Sequence, residues 1–427
     1  MSANTASSAV KVLNGFAVCP TGLEETLEHE LAHLPGFQEI KKGRGGVRFA
    51  ASPESIAHAN LWARVPTRLL IEVGKGNVRK QEDIRAIATR VLWEQWFTVR
   101  QTLRIDLAVG REPKLEKPLA RNFATLLVKD GICDRFRKAR GERPSIDTTH
   151  PDIRVWAYLD QSELTLYLDT SGEPLFKRGW RQAKGEAPLR ENLAAALVMM
   201  SQWNGKTALL DPFCGSGTLL IEALQWALRL PPGYVPSAPR EFAAERFHAN
   251  SPMGQVNWQA LRAKAKQSIE RVEKEVGSSG AAKLLPKIVG SDQDSRMIRI
   301  AKENAQRALP AVIANAIEWQ VAAFEAIAPN AAHGVLITNP PYGKRLEKQS
   351  SAPEHAHSAD YDFERNMAEQ LKKKFSGWAA WVLTDDLKLE SHMRLKASRR
   401  IPVFNGDIEC RWMRFDMVAG SMRDNKA

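Results

Sequence analysis

The sequence predicts an α/β protein whose C-terminal half forms an open, doubly wound parallel sheet. Three observations predict this class. From residue 189 onward, apolar strand-like runs alternate with helical runs, as in parallel sheets covered by helices. The apolar run at 208–210 leads into a glycine-rich turn and a helix. The first 170 residues contain shorter α/β patterns and a hairpin, so we expect two or three domains in the 427 residues.

The N-terminal half is predicted to contain two small modules, after a polar stretch at 1–12 that we expect to be disordered. The first module, 13–70, has predicted strands at 16–18, 47–49 and 69–73 and helices at 23–34 and 52–63, with Ser52 as an N-cap. The second module, 71–170, has predicted helices at 82–97 and 120–140, a strand at 103–109, and a hairpin of strands at 153–159 and 164–168.

A linker and a larger domain are predicted to follow. Glycine and proline are frequent at 171–190, which indicates a connecting segment. The C-terminal domain is expected over 191–420. An insertion at about 231–285 separates its first two β/α units and contains a predicted helix near 258–276.

Composition limits the classes of function. The chain has 61 basic and 49 acidic residues, a net charge of +12, which suits a polyanionic partner or serves solubility alone. Its four cysteines have no paired spacing, so we expect neither a disulfide framework nor a metal site. No apolar run approaches the ~20 residues of a membrane span. We therefore expect a cytoplasmic protein with no membrane partner.

The glycine-rich turn is the first candidate site. Residues 211–218 read Asp-Pro-Phe-Cys-Gly-Ser-Gly-Thr, and Gly215 and Gly217 would let the backbone approach a ligand at a helix N-terminus. The turn is neither a Walker A loop nor a complete GxGxxG motif. Asp211 at the strand end suits a cationic or hydroxyl-bearing ligand. A purely structural turn is an equally common explanation of the glycines alone.

Two further strand ends supply candidate ligands. The predicted strand at 287–290 ends at Asp292, where doubly wound folds hold ribose hydroxyls, and Gln293 would lie beside an adenosine. Alternatively, Asp292 caps the helix predicted at 295–309. The strand at 319–321 leads to Ala323 and Phe324.

The strand predicted at 334–338 leads into Asn339, Pro340, Pro341 and Tyr342. An exocyclic amine on a base is a weak nucleophile, because its lone pair is delocalised into the ring. The Asn339 side-chain oxygen and the Pro340 carbonyl could accept both of its N–H groups, and Tyr342 could stack on the extruded base. The two prolines fix the backbone. Taken alone, Asn-Pro-Pro is more often a structural loop.

Together these motifs resemble those of methyltransferases that use S-adenosylmethionine (SAM) on base amino groups. Over 171–418 the chain is similar to the RNA guanine-N2 methyltransferases in which a methylase follows a THUMP domain, above all the bacterial 23S rRNA enzymes. The matching segments are residues 169–172, 177–181, 187–194, 211–218, 339–343 and 405–410, where Asn405 and Gly406 also predict a hairpin turn. The N-terminal half is similar through residues 22–24, 45–47, 128–132 and 143–145.

This resemblance implies a Rossmann-like class I methyltransferase domain with a mostly parallel seven-stranded sheet, preceded by a ferredoxin-like segment at 13–70 and a THUMP domain at 71–170. It implies methylation of guanine N2 by direct transfer from SAM. The expected SAM-binding residues are Asp211, Phe213, Cys214, Gly215, Gly217, Thr218, Asp292, Gln293 and Phe324. Relatives usually have an aspartate near Ala323 that contacts adenine, so we expect Phe324 to pack against that ring instead. Enterobacterial relatives have a second methylase domain, which we expect to be absent here.

Two basic clusters and one pair are the expected RNA-binding residues. They are Arg135, Arg137, Lys138, Arg140 and Arg143; Lys177, Arg178 and Arg181, with Trp180 among them; and Lys344 and Arg345 after the catalytic turn. Each cluster could instead be a solvated face. The alternative functions are a tRNA guanine-N2 methyltransferase, a DNA adenine-N6 or cytosine-N4 methyltransferase, and an inactive RNA-binding assembly factor.

Overall fold

The structure, a computed structural model, describes residues 11–111, 119–181, 189–235, 240–279, 285–341 and 356–418. The chain divides into two compact units, each containing a seven-stranded mixed sheet. The N-terminal unit consists of Met1–Cys19, Leu27–Leu175 and Arg240–Ala263. The C-terminal unit consists of Pro20–Thr26, Phe176–Pro239 and Lys264–Ala427. Most of the stretch expected to be disordered, residues 1–10, lies outside the described residues.

The N-terminal sheet has the strand order β2-β3-β1-β4-β7-β6-β5, in which only the β5–β6 pair is parallel. Its elements are β1 (Leu13–Val18), α1 (Glu24–His33), β2 (Phe37–Gly43), β3 (Gly46–Ala51), α2 (Pro53–Trp62), β4 (Arg68–Asn77), α3 (Gln81–Arg90), β5 (Leu103–Val109), α4 (Arg121–Arg140), β6 (Ile153–Asp160) and β7 (Glu163–Asp169). The predicted hairpin is the antiparallel β6–β7 pair.

Local sequence signals account for most of these elements. Ser52 is the N-cap of α2, since its hydroxyl accepts a hydrogen bond from the Ser55 amide at 3.1 Å. The helix predicted at 82–97 ends at Arg90. Trp93 then buries its indole, which donates to the Ala88 carbonyl at 2.7 Å, so tertiary packing ends the helix early. Strand β2 was not predicted, because it is a half-exposed edge strand without clear apolar alternation.

The C-terminal sheet has the order β10-β9-β8-β11-β12-β14-β13, parallel from β10 to β12 and antiparallel at β14 and β13. Its elements are α5 (Glu191–Met200), β8 (Ala208–Asp211), α6 (Thr218–Ala227), α7 (Trp258–Ser279), β9 (Ile288–Asp292), α8 (Ser295–Ala308), α9 (Ala311–Ala314), β10 (Ile317–Val321), β11 (Gly334–Thr338), α10 (Ala356–Lys374), β12 (Trp378–Thr384), α11 (Leu389–Met393), β13 (Arg399–Asn405) and β14 (Ile408–Asp416). The strand order reverses between β8 and β11, and ligands of such folds bind at the carboxyl ends of strands at this point.

The core of the C-terminal unit lies between the sheet and α10. Leu210, Leu336, Phe375, Trp378 and Phe415 are buried in one cluster. Burying a large apolar side chain contributes roughly 1.5–3 kcal/mol, so this cluster holds β8, β11 and β12 in register. The predicted hairpin near residue 405 joins β13 and β14, with Asn405 opposite Ile408.

The insertion between α6 and β9 contributes to both units. Its segment Arg240–Ala263 packs within the N-terminal unit, where Phe242 and Met253 are fully buried. The Ala244 amide donates to the Thr170 carbonyl at 3.1 Å, and the His248 amide donates to the Trp96 carbonyl at 2.7 Å. The predicted insertion helix is α7, which begins in the N-terminal unit. Among the described residues, no helix has the length and apolar character required to cross a membrane.

Candidate active site at the carboxyl ends of β8 and β11

The backbone of the turn between β8 and α6 favours glycine at two positions and sterically requires it at one of them, Gly217. Gly215 and Gly217 have left-handed φ angles of +51° and +80°. A Cβ atom on Gly217 would lie 2.7 Å from the Trp319 ring and 3.1 Å from Ala301 Cβ. A Cβ atom on Gly215 would meet nothing within 4 Å, so the turn is open to a ligand on that side. Gly217 is also the N-cap of α6.

This turn is hydrogen-bonded to the end of β9. The Gly215 amide donates to Asp292 Oδ2 at 3.0 Å, and the Asp294 amide donates to Asp292 Oδ1 at 2.9 Å. Burial raises the pKa of Asp292. The N-cap of α8 is Asp294, whose carboxylate accepts from the Arg296 amide at 2.8 Å. The alternative that Asp292 caps this helix is therefore wrong.

Asp211 connects the glycine turn to the strand that leads into the Asn-Pro-Pro turn. It is buried, and its Oδ1 accepts from the Thr338 hydroxyl at 2.8 Å and from the Phe213 amide at 3.2 Å. Burial raises the pKa of Asp211 to about 7. Sequence reasoning missed Thr338, although a hydroxyl residue immediately before Asn339, on the strand beside β8, was the available signal. The hydrogen bond fixes the two turns relative to each other.

Asn339 presents an unused acceptor at this edge of the sheet. It is partly buried and follows β11 directly, and its Oδ1 is buried without a hydrogen-bond partner among the described residues. A buried acceptor without a donor costs roughly 1–3 kcal/mol, so the position favours a ligand that brings an N–H group. Pro340 is buried. Tyr342, Lys344 and Arg345 lie outside the described residues.

The aromatic residues near the site form a small cluster. The Phe213 and Phe324 ring centroids are 5.4 Å apart, and Phe324 also stacks on Phe375 at 6.2 Å. Phe324 is buried in the core cluster, where its ring supports Phe213. The expected contact between Phe324 and the adenine ring stays a prediction. Ala323 is exposed, and Gln293 is exposed beside Asp292.

The remaining cofactor candidates belong to the turn itself. Cys214 is buried, its amide donates to the Ser291 carbonyl at 2.9 Å, and burial raises the pKa of its thiol. Thr218 is buried at the first position of α6, where its hydroxyl accepts a hydrogen bond from Arg181 Nη2 at 2.9 Å. Both residues shape the turn from its inner side.

One group of side chains offers donors that a metal ion could use. Glu364, Asp386 and His392 have candidate ligand atoms within 4.8 Å of one another. His392 Nδ1 lies 2.6 Å from Asp386 Oδ2 and 3.1 Å from Glu364 Oε2. The imidazole nitrogen is hydrogen-bonded to Asp386, and Glu364 makes an ion-pair contact with the same nitrogen, so pairing between these three side chains accounts for the arrangement.

The second basic cluster is not the RNA-binding surface that its sequence suggested. Arg178 is buried with its guanidinium against Glu222, at an Nε–Oε1 distance of 3.4 Å. The Arg181 side chain is only 10% exposed and pairs with Glu191 at 3.0 Å, and Trp180 is fully buried. A buried cation requires a partner, and these carboxylates supply it inside the C-terminal unit. Lys177 alone of the three expected residues is exposed.

The first basic cluster lies at the exposed end of α4. Arg137, Lys138, Arg140 and Arg143 are exposed to solvent. Arg135 instead pairs with Glu94 through two hydrogen bonds, which lower the pKa of that glutamate. Four of the five expected cations therefore face solvent.

A comparison with known families decides the class of protein. A family model described as the RMKL-like methyltransferase domain, UPF0020, matches residues 178–414. The chain belongs to this methyltransferase family. A THUMP domain model matches residues 78–169 of the methyltransferase, and a model of the RlmL ferredoxin-like domain matches residues 14–70. These matches and the strand order confirm the predicted fold class and the SAM-dependent class I methyltransferase domain.

Individual relatives agree with this assignment. The methyltransferase is 36% identical over 413 residues to "Ribosomal RNA large subunit methyltransferase K/L" of Shewanella sp. (strain W3-18-1). That match covers 96% of the chain and 54% of the relative, so the chain spans about half the length of the curated relatives it matches.

Two solved structures share the fold over nearly the whole chain. One is a protein described as a methyltransferase, solved in complex with SAH (S-adenosylhomocysteine, the product that SAM becomes after methyl transfer). It has a TM-score of 0.76 and 26% identity, and the match covers 96% of this chain and 100% of that one. The other, from Listeria monocytogenes str. 4b F2365, is described as "a predicted N6-adenine-specific DNA methylase". It has a TM-score of 0.76, 26% identity and coverage of 95% of this chain and 97% of that one.

We predict that Gly217→Ala abolishes detectable SAH binding and destabilises the protein by about 2 kcal/mol, because the new Cβ meets Trp319 and Ala301 in a left-handed conformation. Calorimetric titration with SAH and thermal unfolding measure the two effects. Gly277→Ala in α7, where a Cβ meets nothing within 4 Å, is the control: it should leave SAH affinity unchanged and, as a glycine replaced inside a helix, should raise stability slightly. Wild-type SAH affinity in Gly217→Ala would remove this turn from the site.

Proposed function

We propose that the chain methylates the exocyclic N2 amino group of a guanine in 23S rRNA, with SAM as methyl donor. The observation that supports this most is Asn339 Oδ1, which accepts no hydrogen bond within the described part of the chain and lies at the end of β11, the strand next to β8 and its glycine turn. An acceptor for an amino group, Asn339 Oδ1, and a glycine turn able to bind a cofactor thus lie at the ends of two neighbouring strands. Among the described residues, no donor reaches the Asn339 oxygen, and no atom lies within 4 Å of a Cβ placed on Gly215.

The proposed chemistry depends on positioning. SAM supplies an electrophilic methyl group when it is bound. Asn339 Oδ1 and the Pro340 carbonyl oxygen would each accept one N–H of the target amine, which directs the nitrogen lone pair away from both oxygens and toward the methyl group. No side chain has to remove a proton before transfer. Tyr342 is proposed to stack on the base, which must leave its helix to reach this site.

The residues proposed to hold SAM fit a ligand with hydroxyl and cationic groups. The two Asp292 oxygens each accept one backbone N–H, and a carboxylate has about four acceptor sites, so acceptors remain for ribose hydroxyls. Asp211 would complement the positive charge of SAM near the turn. Gly215 provides the open backbone surface, and Phe213 and Gln293 are proposed to line the adenosine. Cys214, Thr218 and Phe324 support the turn from the interior.

RNA is the substrate class that the chain supports best. The THUMP match precedes the methylase, and α4 within it ends in exposed cations. The name of the Shewanella relative favours large-subunit rRNA over tRNA. The description of the Listeria structure favours DNA adenine, which the Asn-Pro-Pro turn would also accept. The intact Asp211, glycine turn and Asn339 argue against an inactive assembly factor.

We predict that changing Arg137, Lys138 and Arg140 to glutamine in one variant weakens RNA binding. The plot of log affinity against log salt concentration should become less steep, by about 0.7–0.9 for each phosphate that the variant no longer neutralises. Fluorescence anisotropy with a fragment of 23S rRNA at several salt concentrations measures this. The matched control replaces Lys266, Arg271 and Lys274, three exposed cations on α7. An unchanged slope in the first variant would exclude this end of α4 from the RNA surface.

Transfer of labelled methyl groups tests the proposed function directly. The protein is incubated with labelled SAM and, in parallel, deproteinised 23S rRNA, tRNA or duplex DNA, and the products are digested to nucleosides. We expect label in N2-methylguanosine from 23S rRNA. Label in N6-methyladenine from DNA would instead support the second candidate, and label in tRNA alone would replace the proposed RNA.

A further inference from the structure

The Arg-Gly-Trp-Arg segment, residues 178–181, lies inside the C-terminal unit and contacts the helix that follows the glycine turn. Arg178 reaches Glu222, which is fully buried in the second turn of α6. Trp180 is fully buried, and the Arg181 guanidinium lies 5.4 Å from the centre of its ring. Two cations that look like surface residues in the sequence therefore belong to the packing around α6.

Arg181 holds the C-terminal end of the turn. Its Nε donates to Glu191 Oε1 at 3.0 Å, and its Nη2 donates to the Leu189 carbonyl and to the Thr218 hydroxyl, both at 2.9 Å. Thr218 follows Gly217 directly. A planar guanidinium can donate to several acceptors in fixed directions, which a lysine cannot do.

A second connection reaches the middle of the turn. Arg307 Nε donates to the Trp180 carbonyl at 2.9 Å, and its Nη2 donates to Asn304 Oδ1 at 2.8 Å. Asn304 is fully buried, and its Nδ2 donates to the Ser216 carbonyl at 3.1 Å. The segment therefore reaches the turn directly at Thr218, through Arg181, and indirectly at Ser216, through Arg307 and Asn304.

From these contacts we infer that Arg181, Asn304 and Arg307 are positioning residues that set the affinity for the methyl donor. Their contacts approach residues 216 and 218, while a Cβ on Gly215 would meet open space. Glycine-rich backbone loses much conformational freedom when it is ordered, so a turn held in advance binds its ligand more tightly. The inference rests on the proposed placement of SAM at this turn, and it replaces the expected RNA contact of Arg181.

The test uses two variants of the full chain. Asn304→Asp keeps an acceptor for Arg307 but cannot donate to the Ser216 carbonyl, and Arg181→Met removes the donors to Thr218. In each we expect the Kd for SAH and the KM for SAM to rise about tenfold, since a hydrogen bond that orders the turn is removed. The kcat at saturating SAM and the affinity for RNA should stay within about twofold. Arg181→Lys should recover only part of the affinity.

Lys302→Met is the matched control, because Lys302 is exposed on the same helix as Asn304. Unchanged SAH affinity in Asn304→Asp, or weaker RNA binding with normal SAH affinity in Arg181→Met, would overturn the inference. If thermal unfolding shows that Arg181→Met does not fold, the SAH affinity of the isosteric Asn304→Asp variant alone tests the inference. A wild-type chain that binds no SAH would reject the cofactor site itself, and with it both the proposed function and this inference.

Discussion

Replacing Asn339 with alanine is expected to lower kcat by about a hundred- to a thousandfold while the affinity for SAH stays within about twofold. The reason is that Asn339 Oδ1 has no hydrogen-bond partner among the described residues, so its proposed partner is the target amine. Removing one preorganised polar contact to a reacting group has an effect of this size in other enzymes. Single-turnover methyl transfer and calorimetric SAH titration separate the two quantities.

Two further variants sharpen this prediction. Asn339→Asp keeps an acceptor oxygen at the same position and should retain more activity than the alanine variant. Asn315→Ala, at the exposed end of α9, is the control for loss of an asparagine and should behave as wild type. If Asn339→Ala turns over at the wild-type rate, the proposed role of this residue is wrong.

Replacing Asp211 with asparagine is expected to weaken SAM binding strongly and to stabilise the ligand-free protein at pH 8. Burial raises the pKa of Asp211 from 3.8 to about 7. Because the folded pKa is the higher one, the native state binds more protons than the unfolded state between about pH 4 and 7. This contribution to stability is therefore present below that window and disappears as the pH rises through it. An asparagine, which is neutral at every pH, shows no such change.

The same shift predicts how cofactor affinity depends on pH. A cationic ligand beside Asp211 favours the ionised carboxylate, so SAM should bind more tightly as pH rises from 6 to 8 and should release a proton. Calorimetry in two buffers of different ionisation enthalpy measures that proton. The Asn variant should lose the part of this dependence that is due to Asp211. A wild-type affinity that is constant over this range would contradict the account.

The sequence predicted features that depend on neighbouring residues better than features that depend on residues far apart in the chain. The strand ends at Asp211, Asp292 and Asn339 followed from apolar runs and turn residues that are close in sequence, and the structure brings these ends to one edge of the sheet. The hydrogen bond between Thr338 and Asp211 joins residues 127 positions apart, and no local pattern marks it.

Burial was harder to predict for the charged segments. Arg178 and Arg181 looked like a basic surface, because their carboxylate partners, Glu222 and Glu191, come later in the chain on α6 and α5. Likewise, Arg240–Ala263 lies in sequence between two elements of the methylase but packs within the N-terminal unit. Only tertiary contacts distinguish such a segment from an ordinary insertion.

Nucleoside mass spectrometry of RNA from a strain that lacks this gene tests the central claim most directly. The 23S rRNA, tRNA and DNA of the deletion strain are digested and compared with those of strains complemented by the wild-type chain or by Asn339→Ala. The account predicts that N2-methylguanosine disappears from one 23S rRNA fragment and returns with the wild-type chain but not with the variant. An unchanged 23S rRNA profile, with a methylated nucleoside missing from tRNA or DNA instead, would contradict it.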